Sequence, residues 1–420
     1  MSSAYSNALA GLTANSQAIN IVSSNLANLS TAGYKDEQVS FEDLVNESLN
    51  GFSNTSAISG STVAQATQQF TQGTLETTNN PYDAAIQGGG FFVVNTTSGQ
   101  QLFTREGNFS VNAAGQLVTA TGQFVQGWNA ASGTLSTNGA TSNIVLPTNI
   151  ELPPAATTTF SVSANLTANA TVGTTGATFS SPIKVYDAQG VAHSLTVTYT
   201  ETAANTWGYS VTIPSTDLTA GGATATTQLS SGTLTFDGSG HLLSPASTAG
   251  TIPISITGLA SGAADMNVTW NLYDSTGAAT LTQYNQASAN TANSQNGAAA
   301  GQLNGMSISG NGLVVAQFSN GTTENVAQIA LASVLNPSSM QQLDGNNFAP
   351  TSATANPVIG VPSTGARGQI TGGALETSTV DIATEFTNLL QYERGYQENS
   401  KVITTEDEIV QQTISLIANG

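Results

Sequence analysis

Apolar residues recur every seven positions at both ends of the chain. Near the N-terminus Tyr5, Leu12, Ile19 and Leu26 form one row, and Ala8, Asn15, Val22 and Leu29 form a second row three positions on. Near the C-terminus Ile382, Leu389, Tyr396, Ile403, Val410 and Ile417 form an unbroken row, widened by Phe386 and Ile414. A seven-residue repeat is what two supercoiled helices need to keep a seam between them. No proline interrupts either stretch, and Gly11 lies off both N-terminal rows. The spacing predicts helices of roughly 40 and 54 Å at 1.5 Å per residue. Thr404-Thr-Glu-Asp407 also reads as a capping box, but the unchanged register across it argues for one helix. The N-terminal stretch alone would fit an amphipathic helix on a globular core equally well. The second seam tips the reading to a terminal coiled coil, or to helices unpaired until a partner buries their stripes.

Between the seams the period drops to two. Phe91-Phe-Val-Val94, Ser194-Leu-Thr-Val-Thr-Tyr199, Trp207-Gly-Tyr-Ser-Val211 and Gly312-Leu-Val-Val315 read as short strands. Turn signals such as Asn112-Ala-Ala-Gly115, Asp187-Ala-Gln-Gly190 and Asp237-Gly-Ser-Gly240 separate them. Low-complexity stretches near 130–145 and 285–300 look like hinges that bracket one β-domain inserted in another. The fold class is therefore mainly β with long terminal α-helices: a coiled-coil-like N/C-terminal helix pair plus two nested β-domains.

The charge balance narrows the function. Six Lys and Arg stand against 25 Asp and Glu, for a net charge of −19. Six dispersed cations supply no nucleic-acid footprint and no attraction to anionic lipid. There is no Cys, which removes disulfides and thiolate chemistry. No apolar run approaches the ~18 residues of a spanning helix, and the start of the chain lacks the basic and apolar regions of a Sec signal. His193 and His241 lie beside turns with no second ligand at metal spacing. Asp187 and Asp237 precede turn glycines, where a carboxylate bonds nearby amides. Gly88-Gly-Gly90 precedes a strand, which is the wrong context for a phosphate cradle. Glu406-Asp-Glu408 reads as a solvated helix face. No catalytic, cofactor or metal constellation emerges, so the expectation is a non-enzyme.

Three stretches make the chain similar to the bacterial flagellar rod and hook axial proteins. Ser23-Ser-Asn-Leu-Ala-Asn-Leu-Ser-Thr-Ala-Gly-Tyr-Lys35 resembles the family signature, carried by Asn25, Leu26, Ala27, Asn28, Thr31, Gly33, Tyr34 and Lys35. Asn79-Asn-Pro-Tyr-Asp-Ala-Ala-Ile-Gln-Gly88 runs on through Phe103-Thr-Arg-Glu-Gly-Asn-Phe109 and Val125-Gln-Gly-Trp128. Gly373-Ala-Leu-Glu-Thr-Ser-Thr-Val-Asp381 is followed by Tyr396-Gln-Glu-Asn-Ser-Lys401. Val185-Tyr-Asp-Ala-Gln-Gly-Val-Ala-His193 and Phe318-Ser-Asn-Gly321 resemble hook members in particular. Glu393 and Glu398 depart from the usual Gln and Ala and put charge on a helix expected to be packed.

The resemblance implies a homopolymeric tube outside the cell whose terminal helices line an export channel and whose β-domains form sliding outer shells. It implies four parts: a helical core at 1–30 and 380–420, a connecting segment at 31–70 and 368–379, an inner β-domain at 71–146 and 301–367, and an outer β-domain at 147–300. The implied partners are further copies, the distal rod, hook cap and hook–filament junction proteins, and the type III export apparatus, with no cleaved signal peptide. A distal rod protein is the nearest alternative, and the insert argues against it. An extracellular adhesin on a coiled-coil stalk is a different class and leaves the terminal motifs unexplained.

Overall fold

The computed structural model describes residues 3–44, 61–131, 134–147, 150–220 and 225–418. Helix α1 spans Ser3–Ala27 and helix α2 spans Ile382–Ala418 without a break at the alternative cap. Asp381 caps α2, its carboxylate accepting the Thr384 N–H at 2.7 Å. Helix α1 ends two residues before Leu29, the last member of the N-terminal rows. There the Asn28 amide donates to the Ser24 carbonyl, and the chain turns through Gly33 at φ +68°. A Cβ at Gly33 would lie 2.5 Å from the Arg105 carbonyl oxygen, so both the angle and the space require glycine.

The helices pack antiparallel, and small or polar residues form the contact. Ala8, Ala14, Ala18, Val22 and Asn25 are the buried residues of α1. Asn15 and Gly11 face Gly395 and Asn399 reciprocally: each Asn donates to the carbonyl of its own Gly, at 2.8 and 2.9 Å, and sits against the Gly of the other helix. A Cβ at either glycine would come within 2.7 Å of the facing amide. Close approach of the two backbones is therefore built from missing side chains, not from an apolar zipper.

The chain divides into two compact units, residues 1–148, 306–316 and 324–420 in the first and 149–305 with 317–323 in the second. In the first unit Phe91–Asn95 pairs with Gln101–Thr104 and Phe124–Asn129, and also with Leu331–Ser333 from the returning half of the chain. Phe91, Phe103, Trp128 and Phe348 close this core, with Phe70, Phe91 and Phe348 in mutual edge-on contact. The second unit holds two five-stranded sheets whose inward residues merge into one core. Several of its strands alternate strictly: in Thr206–Pro214 the buried residues are Trp207, Tyr209, Val211 and Ile213. The molecule is thus mainly β with long terminal helices, as the periodicities predict.

Candidate assembly surface and its anchor

The N-terminal signature forms a hydrogen-bonded joint. Asn25 is fully buried; its amide donates to the Glu37 carbonyl at 2.8 Å and to Glu385 Oε1 at 3.2 Å. Its Oδ1 accepts the Tyr34 hydroxyl and the Glu37 N–H. One side chain so ties the end of α1, the strand Glu37–Leu44 and the start of α2. Thr31 donates to Asn28 Oδ1 and braces the exit turn. Leu26 and Leu29 are half-buried and Ala27 is exposed.

Lys35 reaches a second buried centre. Its ammonium donates to Glu376 Oε1 at 2.7 Å and to the Thr71 carbonyl, with no solvent access to either charged side chain. Arg105 meets Glu376 Oε2 at 3.3 Å, donates to the Gly88 carbonyl and lies over the Phe91 ring. The Gly73 N–H adds a third donor to Glu376. Burial pulls both Lys35 and Arg105 below their ordinary values, and Glu376 opposes that pull. Two of the chain's six cations thus converge on one carboxylate, an arrangement strongly destabilised if that carboxylate is lost. Glu376 and Arg105 lie within the stretches 373–381 and 103–109, but residue type alone gives neither a role. Charge scarcity was the available signal, since a cation so rare in the chain requires a partner where it is buried.

The large seam residues are placed differently from the pairing face. On α1 Val22 is buried, while Tyr5, Leu12 and Ile19 are half-buried. On α2 Leu389 and Ile403 are half-buried, and Ile382, Phe386, Tyr396, Val410 and Ile414 are 38–61% exposed. The Ile417 side chain lies outside the described residues. At 100° per residue, Ile382, Phe386 and Leu390 fall on the side of α2 opposite the α1 contact. Val410 and Ile414 continue the α1-facing row, past the point where α1 begins. Glu393 and Glu398, expected on a packed helix, are both exposed.

The second unit holds a hydrogen-bonded cluster around the buried side chains of His193 and Asp187. His193 lies 3.1 Å from Asp187 and 3.0 Å from Asp217. Asp187 also accepts the Ser261 hydroxyl and, as the turn reading expects, the N–H groups of Gln189 and Val191. Burial alone would raise the Asp187 carboxyl, but these hydrogen bonds hold it below the usual range. Ser261 donates into Asp187 and is not activated by the histidine, so the group braces loops and sets up no nucleophile. Among the described residues no cluster of acids, His or Cys is arranged to hold a metal ion, and no helix is long and apolar enough to cross a membrane.

Residues 6–35 match the flagella basal body rod protein profile, and residues 371–416 match the C-terminal profile of the flagellar basal body rod FlgEFG proteins. Between them, 85–176 match the D1 domain of flagellar hook protein FlgE/F/G, and 156–298 match the D2 domain of flagellar basal body protein FlaE. The flagellar hook protein FlgE of Rhizobium meliloti is 31% identical over 97% of each chain. The chain belongs to the flagellar hook protein family. The flagellar hook protein FlgE of Escherichia coli is 30% identical over 98% of this chain and 100% of its own. The crystal structure of Helicobacter pylori flagellar hook protein FlgE2 shares the fold, with a TM-score of 0.53 at 16% identity across 72% of this chain and all of that one. Lys35, Arg105 and Glu376 fall within three separate matched segments of the hook-family chain.

Proposed function

We propose that the chain is the repeating structural subunit of a flagellar hook, a tube of identical copies that serves as a flexible joint around a central channel. The observation that carries this is the outward row on α2. Ile382, Phe386 and Leu390 are about half exposed on a helix that already has a partner on its other side. Apolar stripes of that kind mark surfaces that another protein covers. The helix pair supplies the lasting axial contact, and the polar β-units supply weak, exchangeable contacts farther out. The four-part organisation expected from the sequence fits this role. Its β-part from 147 to 300 forms the outer shell. The rod, cap and junction proteins meet the ends of the tube, and the export apparatus passes the chain out without a cleaved signal. The work is mechanical, not catalytic.

Replacing Ile382, Phe386 and Leu390 together by Ser tests the reading. Covering each half-exposed side chain contributes about 1 kcal/mol. The triple variant should therefore raise the critical concentration for tube formation ~100-fold while the monomer keeps its circular dichroism. Tubes at the wild-type concentration would refute it.

A further inference from the structure

The apolar row of α2 also carries cations. Arg394 lies one turn beyond Leu390 on the same side, and Lys401 lies two turns further; both are exposed and neither has an ion pair among the described residues. A neighbour that covers the row takes Arg394 out of water, and a buried cation without a carboxylate is costly.

An acidic cavity stands without a cation. It has a volume of about 330 Å³ and is lined by Asp36, Glu37, Gln38, Glu385, Asn388 and Tyr392 among others, none of them basic. Glu385 is 93% buried, and its Oε2 has no hydrogen-bond partner. Burial raises the carboxyls of Glu37 and Glu385, and negative Asp36 and Asp381 raise Glu385 further. The cavity is therefore short of positive charge. Arg394 of the same chain does not reach it. Arg394 is nine residues along α2 from Glu385, ~13 Å, and on the opposite side of the helix.

We infer that this cavity receives the Arg394 guanidinium of a second copy. The claim rests on the assembly reading above, and it names the contact that sets which face of the neighbour docks. A guanidinium fork can bond Glu37 and the free oxygen of Glu385 together, which a lysine ammonium does less well. The acids of the cavity are not grouped as metal ligands, so a long cationic side chain fits them better than an ion.

The test compares critical concentrations for tube formation by the full chain. Arg394→Gln should raise the value about tenfold, and Glu37→Gln with Glu385→Gln should do the same. All three together should cost no more than either set alone, because both remove one contact. The swap Arg394→Glu with Glu37→Arg should recover part of the loss. Unfolding of the dilute monomers should stay unchanged in the Arg394 variants. An unchanged critical concentration for Arg394→Gln, or losses that multiply, would overturn the inference. So would assembly that depends on added calcium through Glu37 and Glu385 but not on Arg394. If Arg394→Gln assembles normally while the triple Ser variant does not, only this inference fails. If both assemble normally, the assembly reading fails with it.

Discussion

Within residues 149–305 the largest side chains point inward. Trp207 and Trp270 are fully buried, Phe160 stacks on Trp270, and Tyr209 meets the same ring edge-on. In α2 the order is reversed: Gly395 and Asn399 occupy the contact with α1, and Phe386 and Leu390 face solvent. The first region satisfies its own apolar surface, whereas the second keeps surface in reserve. A subunit needs both kinds, one to exist as a monomer and one to stop being a monomer.

The sharpest way to break this contrast is Trp207→Ala. The cavity should cost the second unit about 4 kcal/mol, read as an earlier loss of Trp270 fluorescence on heating or in denaturant. The critical concentration for tubes should move less than about threefold. An equal loss of assembly would mean that the second unit is not the self-contained partner in the comparison. Next in size is Glu376→Gln. Lys35 and Arg105 would keep their burial and lose their counter-charge, at a cost of about 3 kcal/mol to the first unit. That change should lower its unfolding midpoint and leave the unfolding of the second unit in place. A shift of both midpoints together would dissolve the distinction between them.

The smallest effect concerns pH, where the two regions should diverge. The raised Glu385 carboxyl makes docking of α2 firmest below the ordinary glutamate value, and that stability is lost as pH rises through the folded-state value. Glu385→Gln should therefore slow hydrogen exchange near Asn25 about fivefold at pH 7 and have little effect near pH 4. Asp187 behaves in the opposite sense. Its carboxyl is held low, so its contribution is present above the ordinary aspartate value and disappears as pH falls through the lowered one. Asp187→Asn should flatten the acid limb of the second unit alone. Protection near Asn25 that rises with pH in the wild type would contradict the assignment at Glu385.

Much of this was legible in the sequence. Helix existence and length followed from the seven-residue rows, and strand alternation such as that of Thr206–Pro214 followed from the two-residue period. The signature from Asn25 to Lys35 marked the joint by its residue types. The pairing face of the helices was hidden, because hydrophobic patterning points at Leu12, Ile19 and Phe386, whereas the contact is made by what Gly11, Ala18 and Gly395 lack. Asn15 looked like a flaw in a seam and proves to be a packing residue opposite Gly395. Glu376 was hidden for another reason. It sits in the three-residue strand Ala374–Glu376, too short for any period, and its partners are distant in the chain.

That distance has a consequence in time. The Asn25–Glu385 bond joins residues 360 apart. A ribosome adding ~5–20 residues per second needs about 20–70 s to make that span. Throughout that interval α1 exists without the helix it pairs with, while the strands of residues 149–305 are complete long before. The loop that must close is 360 residues long, so pairing of the two helices comes after the strands between them can pair. The surface proposed for assembly includes α2, which is made after every strand of the β-units. A chain made as far as residue 323 has a finished second β-unit but lacks α2, and this delay is written into the order of its segments.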